Sequence, residues 1–412
     1  MELECLGACE EVGRSAFLLH TDKKIMLDYG IKIFDKSGIP KFPEQDGKPD
    51  FAILSHAHLD HSGCIPALYR DSKIRWYGTP PTRDICEILW KDSMKIMGEG
   101  LPYRVQHFKK ALKYWTPLQY DQTMRTGQTD ITLYDAGHIS GAAMIDIEYN
   151  GRRVLYSGDL KCEETFMHRG ADFVEDVDVL ILESTYANRE HPDRKKTEQT
   201  IADHIHETID NGGNVLFPAF SVGRTQELIS LVRHYDRHVP VFVDGMGREA
   251  TRIYMKYPNY MRDAKRFRKA INSVTMVSGI PDKRAATRDP SVIISSAGMM
   301  NGGPVLNYMF HTNPQSKLIF TGYSVEETNA WYLQNKGYII KDGQELSVDL
   351  PWEYLDLSAH AGRTDLLNFI KHANPEKIIL VHGDNPGGFA DELVENFGYD
   401  AIAPKVGDKI RL

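Results

Sequence analysis

The chain has 412 residues, which is long enough for two or three domains that each bury a core. Its hydrophobic content of 42% and charged content of 26% are typical of a globular protein, and its net charge of −8 argues against general affinity for nucleic acid, although it permits a local basic surface. Five scattered cysteines form no disulfide framework or CxxC zinc pattern, and we find no charged-then-apolar leader and no apolar run of the roughly 18 residues that span a bilayer. We therefore expect a cytoplasmic protein with no membrane segment.

The first thirty residues predict paired strands at residues 2–6, 15–19 and 24–28, with glycines at the turns. Asp28 closes the third strand. Two interpretations of this side chain remain open: an aspartate that initiates the turn before Gly30, or an acceptor that orients a metal-binding histidine.

The segment FAILSHAHLDH, at residues 51–61, is the most informative stretch of the chain. A short apolar run predicts a strand, and the loop after it carries His56, His58, Asp60 and His61. Two imidazoles two residues apart at a strand end can bind one metal ion, and the Asp-His pair can face a second ion a few ångströms away. The alternative is a polar loop with surface histidines, but four ligand-type residues in six positions favour the two-metal site.

Beyond this segment the sequence predicts the start of a helix at residues 62–69 and a longer helix at 81–97. Five further ligand-type residues share one feature, because each follows an apolar run that predicts a strand. They are His138, Asp159, Glu183, His360 and His382. Since α/β folds place functional residues at strand ends, we expect these side chains to converge at one edge of a sheet stack.

The middle of the chain alternates between strand and helix patterns. Short apolar or β-branched runs occur at residues 214–218, 240–244, 291–295 and 317–322, and helical stretches separate the first three. This alternation predicts a parallel sheet with flanking helices.

A basic stretch lies between Arg248 and Arg288, where eleven basic residues stand against three acidic ones. The aromatic residues interleaved with them are Tyr254, Tyr257, Tyr260 and Phe267. The pattern suits single-stranded nucleic acid, where cations follow the backbone and rings stack on bases, and it also fits a solvated helical face.

Motifs along nearly the whole chain resemble those of a known superfamily. HAHLDH at residues 56–61, Gly137-His138, Ser157-Gly158-Asp159 and LVHGD around His382 resemble the metal-binding motifs of the metallo-β-lactamase superfamily. EST at 183–185, PAFSVGRTQEL at 218–228, SSAGMMNGGP at 295–304 and SAHAGR around His360 further resemble its β-CASP branch of nucleases. That branch includes RNase J and the nuclease subunit of the eukaryotic cleavage and polyadenylation specificity factor. In length the chain is most similar to short archaeal members related to that factor.

The resemblance implies an α/β fold with an αββα metallo-β-lactamase sandwich and an inserted β-CASP α/β domain. The sandwich would comprise residues 1–185 and 346–412, and the insert residues 186–345. One feature of the sequence agrees independently: His360 and His382 lie some two hundred residues after Asp159, and a domain-sized insert explains that gap.

The resemblance also implies two Zn²⁺ ions per chain. One ion would be bound by His56, His58 and His138, the other by Asp60, His61 and His382, with Asp159 bridging them. The two ions would lower the pKa of water to near 7 and so supply the hydroxide that attacks phosphorus, which makes Asp60 part of the catalytic machinery as well as a ligand.

His360 and Glu183 are the remaining catalytic residues that the resemblance implies. His360 would stabilise the transition state and protonate the leaving 3′-oxygen, while Glu183 would orient this histidine or tune its pKa. The alternative for Glu183 is a carboxylate that only ends a strand, and the alternative for His360 is an imidazole that takes no part in the reaction. Many relatives carry an aspartate two residues after this histidine, where this chain has Gly362.

For the RNA itself, the loop after the predicted strand at 291–295 offers Ser296, Gly298 and Asn301, where small residues let backbone N–H groups approach a phosphate. Arg224 would contact a phosphate or a domain interface, and Ser358 a phosphate beside His360. A plain turn is the alternative for the loop. Family members often form homodimers, and the resemblance extends that expectation to this chain.

The function implied is a zinc-dependent ribonuclease acting on single-stranded RNA, with internal cleavage and 5′-to-3′ degradation both open. A lactonase or thioesterase shares the histidine motif but has no use for a domain-sized basic insert. A DNA-processing β-CASP nuclease remains an alternative, which a requirement for the 2′-hydroxyl would exclude. A non-catalytic scaffold is a third, although such a protein should have lost ligands and this chain retains them all.

Overall fold

The computed structural model describes residues 1–33, 39–44 and 48–412, which divide into two compact units. The first unit comprises Met1–Glu164, His168–Glu190 and His360–Leu412. The second comprises Thr165–Met167 and His191–Ala359. The chain therefore leaves the second unit at residue 359, further along than the predicted domain end at 345.

Up to residue 190 the described chain forms eleven strands and three α-helices. The strands are β1 (Glu2–Cys5), β2 (Phe17–His20), β3 (Lys24–Leu27), β4 (Phe51–Ile53), β5 (Arg75–Gly78), β6 (Trp115–Pro117), β7 (Met124–Thr126), β8 (Thr129–Asp135), β9 (Ala143–Tyr149), β10 (Arg152–Tyr156) and β11 (Val179–Glu183). The helices are α1 (Leu59–Ser62), α2 (Pro80–Met97) and α3 (Val105–Lys113), with short 3-10 helices at Ile65–Tyr69 and Gly98–Gly100.

The rest of the chain continues the alternation of helices and strands. Residues 191–359 form α4 (Arg194–Asp210), β12 (Val215–Pro218), α5 (Arg224–Tyr235), β13 (Val241–Asp244), α6 (Gly247–Lys256), a 3-10 helix (Pro258–Tyr260), α7 (Ala264–Ile271), β14 (Thr275–Met276), α8 (Ile280–Arg288), β15 (Val292–Ser295), α9 (Pro304–Met309), β16 (Lys317–Phe320), α10 (Asn329–Lys336), β17 (Tyr338–Lys341), β18 (Gln344–Ser347) and β19 (Trp352–Tyr354). The remaining residues form α11 (Arg363–Ala373), β20 (Lys377–Val381), α12 (Pro386–Phe397), β21 (Asp400–Ile402) and β22 (Lys409–Arg411).

Two seven-stranded sheets build the first unit within the described ranges. Their strand orders are β22-β1-β2-β3-β4-β5-β6 and β21-β20-β11-β10-β9-β8-β7. Side chains alternate along β8, so that Ile131 and Leu133 point inward and share one core with Phe17 and Ile53 of the other sheet. On the outer faces α2 packs on β5 and α12 packs on β20, which gives an αββα sandwich.

Four strands of the second sheet bring their ends to one edge of this sandwich. Strands β8, β10, β11 and β20 run in the same direction, because β9 is antiparallel to both β8 and β10 and the other pairs are parallel. Tyr156 lies opposite Ile181, and Glu183 lies opposite Val381. The loops that follow these strands therefore start side by side, as the sequence predicts for four of the five strand-end residues.

For the fifth residue, His360, the prediction that it follows a strand of the same sheet stack is wrong. The predicted strand before it is β19, which pairs with β16 in the sheet of the second unit. His360 therefore does not follow a strand of the sandwich. Its position is fixed instead by the next residue, because the Ala361 N–H donates to the Leu160 carbonyl at 2.6 Å, and by helix α11, which begins at Arg363.

A parallel sheet forms the core of the second unit, as the apolar runs predict. In the described chain its order is β14-β13-β15-β12-β16-β19, with a separate hairpin of β17 and β18. The inner strands β12 and β15 are buried along their whole length, which is typical of parallel strands covered by helices on both faces. No helix among the described residues is long and apolar enough to cross a membrane.

Three residues from the loop between β10 and β11 belong to this second unit, and we call Thr165–Met167 the strap. The Glu227 carboxylate accepts hydrogen bonds from the backbone N–H groups of Phe166 (3.0 Å) and Met167 (3.1 Å). Glu227 also pairs with Arg194, and both side chains are buried. On the other edge of the strap, the Arg262 N–H donates to the Met167 carbonyl at 2.8 Å.

Candidate metal and catalytic site

Strand β4 ends at Ile53, and the next eight residues carry four of the predicted ligands. His56 and His58 lie in the connecting loop, and Asp60 and His61 lie in the single turn of α1. Gly30 packs directly on this turn, since a Cβ atom at Gly30 would lie 1.7 Å from the Asp60 carbonyl oxygen. Only glycine therefore lets the turn sit against the end of β3.

The first group of donor atoms comes from His56, His58, His138 and Asp159, all within 4.8 Å of one another. The Nδ1 atom of His58 lies 3.2 Å from His56 Nε2 and 3.1 Å from His138 Nε2. The Oδ2 atom of Asp159 lies 3.4 Å from His56 Nε2 and 3.6 Å from His138 Nε2. A tetrahedral zinc ion with ligands at roughly 2.0–2.1 Å holds neighbouring donors about 3.3 Å apart, so these separations fit that ion.

The second group comes from Asp60, His61 and His382. Asp159 turns its other oxygen to this group, with Oδ1 at 3.0 Å from His61 Nε2 and 3.5 Å from His382 Nδ1. His382 Nε2 faces Asp60 at 3.4 Å. Among the described residues, the buried atoms Asp159 Oδ1 and His382 Nε2 have no hydrogen-bond partner. Buried polar atoms that face other ligand atoms without a hydrogen bond of their own fit a cation, and the two oxygens of Asp159 face one donor group each.

Asp28 supports both groups from behind. Its fully buried carboxylate accepts from His61 Nδ1 (2.7 Å), Tyr156 Oη (2.8 Å), and the N–H (2.7 Å) and Oγ (2.6 Å) of Ser55. Ser55 Oγ lies 3.1 Å from His56 Nδ1. Asp28 thus orients His61 directly and His56 through Ser55, which leaves the Nε2 atom of each ring facing the donor groups.

Two residues of the donor site and its support have strained backbone conformations that the surrounding contacts must hold in place. Asp28 has φ of 56° and His382 has φ of 52°, the left-handed region that side-chain-bearing residues rarely adopt. The His382 N–H is held by the Ala8 carbonyl at 2.7 Å. Strained residues of this kind cluster at functional sites, where surrounding contacts offset the cost.

The pKa shifts of four donor residues suit metal binding, whereas the carboxylates of Asp159 and Asp28 outweigh burial and raise the pKa of His61 well above its usual value. Burial lowers the pKa of His56, the neighbouring His61 adds to this effect, and burial likewise lowers the pKa of His58. Burial alone would raise the pKa values of Asp60 and Asp159, but nearby histidines outweigh it and hold both below the usual range. Neutral imidazoles and ionised carboxylates are the forms that bind metal.

Glu183 and His360 form a pair beside Asp159. His360 Nδ1 lies 3.1 Å and 3.2 Å from the two oxygens of Glu183, and its Nε2 atom lies 3.9 Å from Asp159 Oδ2. Glu183 is itself fixed, because its Oε1 atom accepts from the Leu160 N–H at 2.7 Å. Burial would lower the pKa of His360, but Glu183 and Asp159 outweigh it and raise the pKa to about 9. The ring therefore carries a proton toward the donor groups.

The predicted RNA contacts all lie in the second unit. Strands β12 and β15 are neighbours whose loops leave in opposite directions, which is the position where open α/β sheets bind ligands. Arg224 and Gly298 line one cleft there, together with the exposed rings of Phe220 and Tyr323. Sequence reasoning missed these two rings, although Phe220 lies within the PAFSVGRTQEL motif.

The other three predicted contacts are not brought to that cleft. Asn301 Oδ1 accepts from the Asn329 N–H at 2.7 Å, which ties it to the start of α10. The Ser358 N–H donates to Asp356 at 2.9 Å. Ser296 lies next to Gly245, where an added Cβ would come within 2.0 Å of its hydroxyl.

The basic stretch forms helices, and two of its aromatic residues are not available to bases. Tyr254 and Phe267 are 0% and 2% exposed and contact each other at a ring distance of 6.5 Å. The prediction that they stack on bases is therefore wrong, because the helical period turns them into the core. Tyr257 and Tyr260 are only half-buried.

Comparison with known proteins decides the family. The Beta-lactamase superfamily domain matches residues 25–216, the Beta-Casp domain matches 225–333, and the Zn-dependent metallo-hydrolase RNA specificity domain matches 347–404. The chain is 35% identical to Probable RNase MJ4 of Methanocaldococcus jannaschii over the full length of both proteins. It belongs to the β-CASP family of the metallo-β-lactamase fold. The resemblance drawn from the motifs and the predicted fold class are thereby confirmed.

Other β-CASP relatives are similarly close. The chain is 35% identical to RNase aCSPSF2 of Saccharolobus solfataricus, over 100% of this chain and 85% of that protein. It is 34% identical to Transcription termination factor FttA of M. jannaschii, over 99% of this chain and 71% of that protein. A solved protein of unknown function from Enterococcus faecalis V583 shares the fold, with a TM-score of 0.65, 16% identity and coverage of 100% and 99% of the two chains.

Proposed function

We propose that this β-CASP protein is a two-zinc ribonuclease that hydrolyses phosphodiester bonds of single-stranded RNA. The observation that carries the proposal is the convergence of seven histidine and aspartate donors in two groups that share Asp159, next to the Glu183–His360 pair. The RNase names of two relatives and the match to an RNA specificity domain support the same class of substrate.

In this proposal one zinc would be held by His56, His58 and His138 and the other by Asp60, His61 and His382, and Asp159 would serve both groups. Zinc bound there would supply Lewis-acid polarisation of the phosphate and a water molecule of lowered pKa. Asp28 keeps the rings of His61 and His56 in the required orientation from behind.

The chain itself contributes the proton transfer. His360 holds a proton on Nε2, on the side of Asp159, while Nδ1 is paired with Glu183. A leaving 3′-oxygen within reach of Nε2 takes this proton as its bond to phosphorus breaks, which gives a 3′-hydroxyl and a 5′-phosphate. Glu183 stabilises the protonated ring beforehand and fixes its plane.

The scaffold alternative is disfavoured by the intact donor set. A chain that only assembles partners gains nothing from seven converging donors and the buried, fourfold-bonded Asp28 behind them. All five cysteines are free, which fits the cytoplasmic location that we propose. Dimerisation remains a prediction from the family.

The first test is a time course on single-stranded RNA labelled at one end, in 5′-monophosphate, 5′-triphosphate and 5′-hydroxyl forms, with DNA of the same sequence beside it. Asp60→Ala removes a donor, and Asp391→Ala, an exposed aspartate of α12, is the matched control. Zinc content is measured on each protein.

We expect cleavage of RNA alone by the wild type and Asp391→Ala, and none by Asp60→Ala. Release of mononucleotides from the first time points identifies a 5′-to-3′ exonuclease. Internal fragments that form at the same rate with each of the three 5′ ends identify an endonuclease. Wild-type cleavage no faster than that of Asp60→Ala would overturn the catalytic proposal, and equal cleavage of DNA would overturn RNA as the specific substrate.

A further inference from the structure

Two helices of the second unit, α6 and α7, expose an unusual density of positive charge. They pack against each other through Tyr254 and Phe267, whose rings point inward. The basic residues from 252 to 269 are Arg252, Lys256, Arg262, Lys265, Arg266, Arg268 and Lys269, and the single acidic residue is Asp263. We call the outward side of α6 and α7 the basic helix surface.

Four of these cations have no ion-pair partner among the described residues. Arg252, Lys265, Arg268 and Lys269 are exposed. The single acid does not approach them, because Asp263 is the N-cap of α7 and accepts from the Arg266 N–H at 2.9 Å. Helix α4 of the same unit differs, since it pairs Arg194 with Glu198 one turn away.

The spacing of these charges is unfavourable for the helices themselves. Lys265 and Lys269 are four residues apart on α7, and Arg252 and Lys256 are four apart on α6, so like charges face each other on adjacent turns. A helix that served only as a solvated face would gain from alternating signs, as many exposed helices do. Local conflicts of this kind mark functional surfaces.

The neighbouring side chains indicate the class of partner. No large apolar side chain is exposed between residues 252 and 269, whereas protein interfaces are built around apolar or aromatic residues. The buried Tyr254 and Phe267 offer no platform for bases. Tyr257 and Tyr260, between the two helices, are half-buried, so that cations without exposed apolar neighbours dominate the surface and match the phosphate groups of a polynucleotide.

We propose that the basic helix surface binds the phosphodiester backbone of nucleic acid without reading its sequence. The site goes beyond the proposed ribonuclease activity, because it requires neither the metal donors nor a scissile bond. It accepts single strands and duplexes alike, since both present phosphates and neither needs to present bases.

The test is a fluorescence-anisotropy titration of the full-length chain with a fluorescein-labelled single-stranded RNA of mixed sequence and with its duplex. All proteins carry Asp60→Ala so that the probe survives. The test variant combines Arg252→Gln, Lys265→Gln, Arg268→Gln and Lys269→Gln. The control combines Lys91→Gln, Lys95→Gln, Lys109→Gln and Lys371→Gln, four exposed lysines of the first unit that give the same change in net charge.

Between roughly 50 and 200 mM salt, we expect the test variant to bind both probes about tenfold more weakly or worse. Its slope of log affinity against log salt should be shallower by about 3, because each lost phosphate contact contributes about 0.7 on a single strand. The control should keep the affinity and slope of the parent. Single variants Lys265→Gln and Arg268→Gln, each expected to lose part of the affinity, serve if the fourfold variant does not fold.

Unchanged RNA binding by the test variant, or equal weakening by the control, would overturn the proposal. Poly-glutamate is titrated in parallel as an acidic polypeptide. If the test variant loses binding to poly-glutamate but keeps binding to RNA, the surface belongs to an acidic protein and the proposal is also overturned. Failure of the ribonuclease proposal is separable, because it shows in cleavage by the chain without Asp60→Ala and not in these titrations.

Discussion

Asp28 sets the orientation of histidines in both donor groups from a position with no access to substrate. Its carboxylate receives four hydrogen bonds and is 0% exposed, so that one oxygen serves His61, Ser55 and Tyr156 together. Replacement by asparagine keeps the volume but removes the charge and an acceptor.

We expect Asp28→Asn to lower zinc affinity by about 10- to 100-fold while every direct ligand remains, because the imidazoles lose their fixed orientation. Competition with a chromophoric chelator measures this. Tyr156→Phe removes one of the four bonds and should cost much less. Wild-type affinity in Asp28→Asn would show that the donor groups hold their own geometry.

His360 separates metal binding from catalysis, since it belongs to the site but not to either zinc set in our proposal. His360→Ala should retain the zinc content of the wild type and cleave RNA about 10²- to 10⁴-fold more slowly, as expected for loss of a general acid. His372→Ala, at an exposed position of α11, is the matched control and should be unaffected. Zinc loss in His360→Ala would instead make this residue a ligand.

At the scale of single elements, the last residue of strand β8, Asp135, carries a partly buried carboxylate whose ionisation destabilises the folded chain. Burial and the neighbouring Asp172 raise the pKa of Asp135 to about 6, although the Gly137 N–H donates to it at 2.8 Å. Between the unfolded value near 3.8 and about 6 the folded chain binds more protons than the unfolded chain, so that stability falls as pH rises through this window.

Asp135→Asn should therefore raise the free energy of unfolding near pH 8 by about 1–3 kcal/mol and leave it unchanged near pH 4. Urea unfolding at the two pH values measures the difference. Asp130→Asn lies on the same strand and removes an exposed ion pair with Arg125, so it should give no gain at either pH. A gain from Asp135→Asn that is equal at both pH values would contradict the assignment.

The strap depends on Glu227, which shares the buried Arg194 with Glu198 and accepts two backbone N–H groups. Glu227→Gln should lower the free energy of unfolding by about 1–3 kcal/mol, because Arg194 loses one of its two carboxylate partners and a buried donor is left unsatisfied. It should also speed proteolysis within Thr165–Met167. Glu207→Gln, an exposed residue of α4, controls for the change of charge. Proteolysis at the wild-type rate would show that the strap is held by its other contacts.

The sequence predicted the elements that carry local signals and missed those that depend on distant partners. Strand ends were predicted by apolar runs, and His56, His61, His138, Asp159 and His382 come together as that pattern indicates. The strand before His360, β19, has the same local pattern. It joins the sheet of the second unit because it pairs with β16, which lies more than thirty residues upstream.

The sequence also could not predict which way some side chains point or which residues hydrogen-bond to Asp28. Tyr254 and Phe267 look like part of a binding stretch until the register of α6 and α7 turns them inward. The partners of Asp28 at Ser55 and Tyr156 come from two further strand ends, and no spacing links them. The domain end at 345 stays a prediction, although β19, which follows it, joins the sheet of the second unit.

At the scale of the whole molecule, all seven zinc donors that we propose belong to the first unit and none to the second. Zinc should therefore stabilise the first unit selectively. At a free concentration of 100 Kd the gain is about 2.7 kcal/mol.

We expect hydrogen exchange in zinc, compared with chelator, to slow in β4, β10, β11 and β20 and to stay unchanged in β12 and β15. Asp159→Asn, which weakens both groups, should reduce the difference. Equal protection of the strands of both units would mean that the two unfold together or that zinc also binds elsewhere.

The order of segments along the chain has a consequence for how the protein is made. Residues 191–359 leave the ribosome as a nearly complete second unit while the donor set still lacks His382 and β22 has not yet closed the sheet beside β1. Domains fold as they emerge during synthesis, so the nascent chain holds a half-built sandwich for as long as its middle is being translated. In our proposal the nascent chain therefore gains a complete set of zinc donors only after residue 382 has been translated, so that cleavage of RNA depends on the last segment of the first unit.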